Sequence, residues 1–288
     1  DASGPLRRPA ERAAGERILP GMKGNLGSAG DSAPRGIARH VDLIGIGAGS
    51  PAHVTLEAVA ALADVDVVFA LDKGDAKADL LDARRAILDA HAPHVELVVV
   101  PDPPRDRTPS DYGGVVRDWH QARAELLADA MVRHLGGSRR GAFLVWGDPS
   151  LYDSTLRILE RIRDLGVEFT VRVIPGITAV QALTAAHGVT LNRIGHPVLV
   201  TTGRKLGERP EGTDAVVMLD GAAAWNEHGR ADEEILWGAY LGTPMEVLRR
   251  GRVADIGAEL EELKKELRAK HGWIMDIYLL RPAGTTGM

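Results

Sequence analysis

Trp146-Gly147-Asp148-Pro149-Ser150-Leu151-Tyr152 is the stretch on which the reading of this chain turns. Just before it, Ala142-Phe143-Leu144-Val145 is a short apolar run of the kind that forms a buried strand. Just after it, Leu156, Leu159, Ile162 and Leu165 recur at helical spacing between Ser154 and Leu165. A strand therefore runs into Gly-Asp-Pro and out into a helix. Gly147 lets a backbone come close, and Asp148 can either cap the turn or accept from a ligand's hydroxyl or amino group. Taken alone, the heptad reads equally well as a plain Asp-Pro turn.

Working outward, the same arrangement recurs twice. Downstream, the strand Phe169 to Ile174 ends in Pro175-Gly176-Ile177-Thr178-Ala179, and a helix runs from Thr178 to Ala186. Upstream, the strand Val41 to Ile46 breaks into Gly47-Ala48-Gly49-Ser50-Pro51 before a helix from about Val54 to Ala63. Between these lie strands at Asp66 to Leu71 and Val95 to Val100 and helices from Ala78 to Ala90 and Val115 to Leu135. The first of these helices carries Leu80, Leu81, Arg84, Ile87 and Leu88 at three-to-four spacing. Such strand–helix alternation predicts a mostly parallel sheet with helices on both faces, whose ligand loops lie at the carboxyl ends of the strands.

The pattern changes after Gly188. Strands are predicted at Pro197 to Thr202, Ala215 to Leu219, Ile235 to Tyr240, Arg249 to Val253 and Trp273 to Leu280, with one amphipathic helix marked by Ile256, Leu260, Leu263 and Leu267. The expectation is a two-domain α/β protein. It has a flexible N-terminal extension over 1–39, an α/β domain over 40–191, a linker over 192–196, a smaller mixed α/β domain over 197–282 and a tail over 283–288.

Composition excludes several classes. There is no cysteine, so disulfides, thiolate metal sites and cysteine nucleophiles are out, and a cytoplasmic setting is expected. Aromatics make up only 4% and the net charge is −5, a poor match to a nucleic-acid surface. No apolar run approaches the roughly 20 residues of a membrane helix. His94, His134, His228 and His271 show no metal-ligand spacing, and no metal is expected.

Gly45, Gly47 and Gly49 after a strand, with Asp72 ending the next strand, also resemble a dinucleotide cradle. Ser50 stands where the third glycine would be. A nicotinamide-dependent oxidoreductase is therefore one alternative, and a non-catalytic ligand-binding protein another. On the predicted helix beyond Val115, Arg117, His120 and Arg123 share a face. Arginines there could bind carboxylates in two-point fashion, or the face could simply be solvated.

The three loops in this order resemble the tetrapyrrole methylase family: a glycine-rich first loop, Gly-Asp-Pro after the fourth strand, and Pro-Gly-Ile-Thr-Ala after the fifth. The resemblance covers His40 to about Arg281 and includes Asn192-Arg193-Ile194-Gly195-His196 and Leu241-Gly242-Thr243-Pro244. It implies an S-adenosylmethionine-dependent methyltransferase without a metal, a homodimer, with a tetrapyrrole substrate. Gly147, Asp148, Ser150, Tyr152, Thr178 and Ala179 would bind the S-adenosylmethionine, with a second-domain wall at Leu219, Asp220, Ala239 and Leu241. Relatives carry Met-Gly where this chain has Asp220-Gly221. The first loop, Gly45, Gly47 and Gly49, would face the tetrapyrrole together with Arg117, His120 and Arg123. Within the family, Gly-Ala-Gly in place of Gly-Pro-Gly, Leu71-Asp72-Lys73-Gly74 and Trp237 to Pro244 resemble the branch that methylates precorrin-5 at ring carbon 1 with release of acetate. Diphthine synthase and other tetrapyrrole methylases share the same pattern. Asp72, Asp111, Tyr112 and His120 are the candidates for activating water in the deacetylating step.

Overall fold

The computed structural model describes residues 39–72, 74, 78–103 and 112–282, the side chains of 78, 79 and 112–117 excepted. Of the expected extension over 1–39, residues 1–38 lie outside the described residues and Arg39 instead opens the first strand; the tail over 283–288 also lies outside them.

The first sheet is built from β1 (Arg39–Gly45), β2 (Val67–Asp72), β3 (Glu96–Pro101), β4 (Arg140–Val145) and β5 (Phe169–Ile174). Its order is β3-β2-β4-β1-β5, and every pairing is parallel. Helices α1 (Leu56–Ala63), α2 (Ala78–His91), α3 (Tyr112–His134) and α4 (Thr155–Asp164) connect the strands. Alternation within the central strands divides the core in two. Val41, Leu43, Phe143 and Val145 pack on one face with Leu127, Met131 and Ile158 of α3 and α4. Ile44, Ala142 and Leu144 pack on the other with Leu62 of α1 and Ile87 of α2. Both faces are covered, which is why these strands read as continuous apolar runs.

The second sheet contains β6 (Val198–Thr202), β7 (Asp214–Met218), β8 (Glu234–Ala239), β9 (Val247–Arg252) and β10 (Asp276–Arg281), in the order β6-β7-β10-β8-β9. Only β6 and β7 are parallel; the other three pairings are antiparallel. A short α6 (Trp225–His228) and the long α7 (Val253–His271) cover one face, with Trp225, Trp237 and Tyr278 at its core. α5 (Ala179–His187) covers the other face. Although it follows β5, its Val180 and Leu183 pack against Val216, Leu236 and Leu279 of the second sheet. Ala48 from the first loop and Leu151 from the fourth-strand loop belong to the same cluster. This seam brings the carboxyl ends of the first sheet to the second sheet.

Candidate active site

The three loops leave three neighbouring strands, β4, β1 and β5, at one edge of the sheet. They touch one another through backbone. Gly47 N–H donates to Gly147 O at 3.3 Å, and Gly147 N–H donates to Gly47 O at 2.8 Å. A Cβ on Gly45 would lie 2.6 Å from Gly176 N and 2.8 Å from Gly147 O, so neither Gly45 nor Gly176 has room for a side chain. Asp148 ties the group together. Its Oδ1 accepts from Ser150 N at 2.8 Å, and its Oδ2 accepts from Gly176 N at 2.8 Å. Burial alone would push this carboxyl up, but the bonds from Ser150 and Gly176 outweigh it and hold the carboxyl below its ordinary range. Thr178 caps α5 in a capping box with Gln181, its Oγ1 accepting from Val180 N at 3.1 Å. Gly147 differs from its neighbours. Its φ is +71°, and an added Cβ would meet nothing closer than Thr178 Cα at 3.6 Å. A Cβ there would make ordinary van der Waals contact rather than a clash.

The opposite wall is the strand-end edge of the second sheet. Ile277 of β10 faces Met218 on one side and Gly238 on the other. Leu219, just past β7, and Ala239, the last residue of β8, therefore stand at the same level, roughly 10 Å apart across two strand spacings. The backbone is strained there: Leu219 has φ +53° and Tyr240 φ +52°, and Tyr152 in the fourth-strand loop has φ +51°. Positive φ in bulky residues is costly and is often held at ligand sites. Leu219 is 64% exposed and lines a pocket of about 890 Å³ with Gly203, Gly221, Asn226 and His228. The first loop meets this wall directly, since a Cβ on Gly49 would lie 2.6 Å from Thr243 Cγ2 and 2.8 Å from Leu241 O.

The expected second-domain wall at Leu219, Asp220, Ala239 and Leu241 holds few free side chains. The Asp220 carboxylate faces inward, accepting from Ala222 N at 2.9 Å, Ala224 N at 2.8 Å and Tyr278 OH at 2.8 Å. The Ala239 side chain is sealed in the core shared with α7, and Leu241 is buried in the seam. At these three positions the side chains are turned into the protein. Arg123 is likewise not a free carboxylate clamp. It is 5% exposed, donates through Nε to Asp102 at 2.6 Å with a second bond through Nη2, and stacks over Trp119 at 3.3 Å. His120 also stacks on Trp119, its ring centroid 5.4 Å from that of the indole. Arg117 and Tyr112 lie in α3 with side chains outside the described residues, and Asp111 lies outside them altogether. Asp72 is exposed at the end of β2, its Oδ1 accepting from Gly74 N at 2.9 Å.

The dinucleotide reading fails on the same ground. A cradle for pyrophosphate opens directly into a helix, whose N-terminus faces the phosphates. Here Gly49 leads into a single 3₁₀ turn at Pro51–His53, and α1 starts only at Leu56, capped by Thr55. Sequence reasoning also passed over two polar atoms at the site. The Trp146 Nε1 and His53 Nδ1 atoms are buried without a partner among the described residues. Trp146 lies against Gly49, and His53 lies against Gly47 and Gly242. Their only sequence signal was position, one residue before Gly147 and four after Gly49.

A parallel sheet whose glycine loops close against the strand ends of a second, mixed sheet defines a class. The chain belongs to the Tetrapyrrole (Corrin/Porphyrin) Methylases, whose family model matches residues 40–257. Among its relatives is the precorrin-6A synthase [deacetylating] of Sinorhizobium sp, 46% identical over 251 residues, which are 84% of this chain and 95% of that protein. A cobalamin synthesis related protein from Corynebacterium diphtheriae superposes with a TM-score of 0.76 at 47% identity, covering 86% of this chain and all (100%) of that one. The uroporphyrin-III C-methyltransferase of Thermus thermophilus, solved with S-adenosyl homocysteine, shares the fold. Its TM-score is 0.53 at 22% identity, over 84% of this chain and 92% of that one. The nicotinamide alternative finds no support in these matches.

Proposed function

We propose that this chain is the S-adenosylmethionine-dependent C-methyltransferase that converts precorrin-5 to precorrin-6A, methylating ring carbon 1 and releasing acetate. The observation that carries the reading is the 46% identity to a deacetylating precorrin-6A synthase across 95% of that protein's length. The loop geometry agrees with it. Bare backbone at Gly147 beside the Thr178 cap, with the exposed Leu219 at the strand-end edge of the second sheet, suits a nucleoside with an amino-acid arm. Gly147, Ser150, Tyr152, Thr178 and Ala179 would hold S-adenosylmethionine, with backbone at Leu219, Asp220, Ala239 and Leu241, while Asp148 keeps the loops in place. When bound, that molecule supplies an electrophilic methyl group. The first loop, with Gly45, Gly47 and Gly49, would face the tetrapyrrole.

What the chain itself contributes is mainly positioning, which can account for a large part of the barrier in a transfer of this kind. In the second step water adds to the acetyl carbonyl, the bond from acetyl to ring breaks, its electron pair passes into the conjugated ring, and acetate leaves. His120, stacked on Trp119, and Asp72, exposed at the end of β2, are the described candidates for taking the proton from water. We place the enzyme in the cytoplasm, in keeping with a chain that has no cysteine. Among the described residues no helix is long and apolar enough to cross a membrane, and no His, Asp and Glu cluster converges as a metal site. We also propose a homodimer, which light scattering of the purified protein tests.

Incubation with precorrin-5 and S-adenosylmethionine should yield acetate and S-adenosylhomocysteine in equal amounts. Full methyl transfer without acetate would assign the chain to a non-deacetylating relative.

A further inference from the structure

α2 turns its inward positions to the first sheet, and one of them is an arginine. Ile87 and Leu88 are 1% and 4% exposed, and Arg84 lies one turn earlier on the same face. It meets the sheet where the sheet forks. β2 and β4 pair only as far as Phe69 and Phe143. Beyond that level β2 continues beside β3 to Asp72 and Pro101, and β4 continues beside β1 to Val145 and Gly45. Leu144 is the first β4 residue past the fork, and Arg84 Nε donates to its carbonyl at 3.2 Å. Nη1 donates to Leu80 O at 2.7 Å.

Two of five guanidinium N–H groups are thereby held by neutral carbonyls. No carboxylate stands within ion-pair distance of Arg84 among the described residues, and Asp153 in the fourth-strand loop acts on it only from farther away. Burial pulls the guanidinium pKa down and Asp153 pulls it back up in part, so the charge is under-compensated. A cation in that position is expensive unless something anionic answers it. Two residues past Leu144, the Trp146 N–H is a second buried donor without an acceptor among the described residues. Both donors flank the carboxyl end of β4, beside the glycine loops, and Arg84 keeps part of its surface in solvent.

We propose that Arg84 and the Trp146 indole N–H form a recognition site for one carboxylate side chain of the tetrapyrrole substrate. The site rests on the methyltransferase reading and adds to it the residues that select an acidic macrocycle. The two carbonyls and the packing around α2 hold the guanidinium in place before the substrate arrives, which lowers the ordering cost of binding. S-adenosylmethionine also carries a carboxylate, so the test must separate the two ligands.

The variants are Arg84→Gln, Arg84→Lys and Trp146→Phe. KM and kcat for precorrin-5 are measured at saturating S-adenosylmethionine, S-adenosylhomocysteine affinity by calorimetry, and stability by urea unfolding. Arg84→Gln should raise KM about 10- to 100-fold, Arg84→Lys should recover part of this, and Trp146→Phe should raise KM about 3- to 10-fold. S-adenosylhomocysteine affinity should stay within about twofold throughout. An unchanged KM in Arg84→Gln and Trp146→Phe overturns the site. So does a loss of S-adenosylhomocysteine affinity as large as the change in KM, which would assign the pair to the co-substrate or to the scaffold. If Arg84→Gln does not fold, Trp146→Phe, which keeps the ring, decides alone. If the wild-type enzyme does not turn over precorrin-5, the functional reading falls. Fluorescence titration with uroporphyrin III, an acidic tetrapyrrole that needs no turnover, then decides whether Arg84 reads carboxylates.

Discussion

At the scale of single residues, the site is made of backbone more than of side chains. Gly147 is the sharpest example. Its φ of +71° disfavours a side chain on conformational grounds, and the bare backbone there is where the proposed ligand would sit. Gly147→Val should abolish S-adenosylhomocysteine binding in calorimetry while costing about 1–2 kcal/mol of stability from αL strain. Unchanged affinity would remove this loop from the site. Asp148 makes a prediction about pH. Its folded carboxyl sits below the ordinary range, so it stabilises the fold above the unfolded carboxyl pKa, and the contribution is lost as pH falls through the folded value. Asp148→Asn should be less stable than wild type by about 1–3 kcal/mol at neutral pH. The gap should narrow steadily once the wild-type carboxyl protonates. A gap that is constant with pH would show that the carboxylate charge is not what clasps Ser150 and Gly176.

At the scale of elements, α5 is the hinge between sequence and site. It begins with the capping box of Thr178 and Gln181 and ends at Gly188 with φ +65°. His187 anchors its last turn, its Nε2 lying 3.1 Å from Trp237 O of β8. Thr178→Ala should cost about 1 kcal/mol in urea unfolding through loss of the cap. It should also weaken S-adenosylhomocysteine binding, because Thr178 Cα faces Gly147. A stability loss with intact affinity would confine Thr178 to capping. α7, β8, β10 and the turn after β7 share a second device. Lys264 Nζ pairs with Asp276 Oδ2 at 2.7 Å, Trp237 Nε1 donates to the same oxygen at 3.0 Å, and the Lys264 ammonium also donates to Asp220 O. The Lys264 and Asp276 side chains are 5% and 4% exposed. Lys264→Met should therefore destabilise by about 3–5 kcal/mol, since it leaves a buried carboxylate unpaired. Adding Asp276→Leu should return a good part of that loss; equal instability of the double variant would mean that packing, not charge, holds this corner.

At the scale of the whole molecule, the two sheets meet where the first loop touches the turn after β8. Gly49 lies against Thr243 and Leu241, and Gly242 lies against His53 and Ser50. Gly47 and Gly147 are joined by a backbone bridge, so the first and fourth-strand loops move as one piece. Gly49→Val should push the second sheet away from this pair. The expected result is a fall in kcat/KM together with weaker S-adenosylhomocysteine binding, measured on protein whose unfolding remains cooperative. Full activity in this variant would show that the seam has slack and does not set the width of the cleft.

The strands, the longer helices and the parallel sense of the first sheet were legible in the chain itself, because apolar runs of four to eight residues alternate with helical periodicity and break at Gly and Pro. The three loop motifs were legible for the same reason, as places where a strand must stop and a helix start. Other features needed the third dimension. Asp220 and Arg123 read as ligand contacts in one dimension, yet burial turns the first toward Tyr278 and the second toward Asp102. Arg84 read as one more position on a helix face, and only the fork between β2 and β4 gives its charge a place. Local pattern reports which face a residue occupies. Which partner waits on that face is set by strand order and by contacts between residues far apart in the chain, such as Gly45 with Gly176, and no local pattern encodes those contacts.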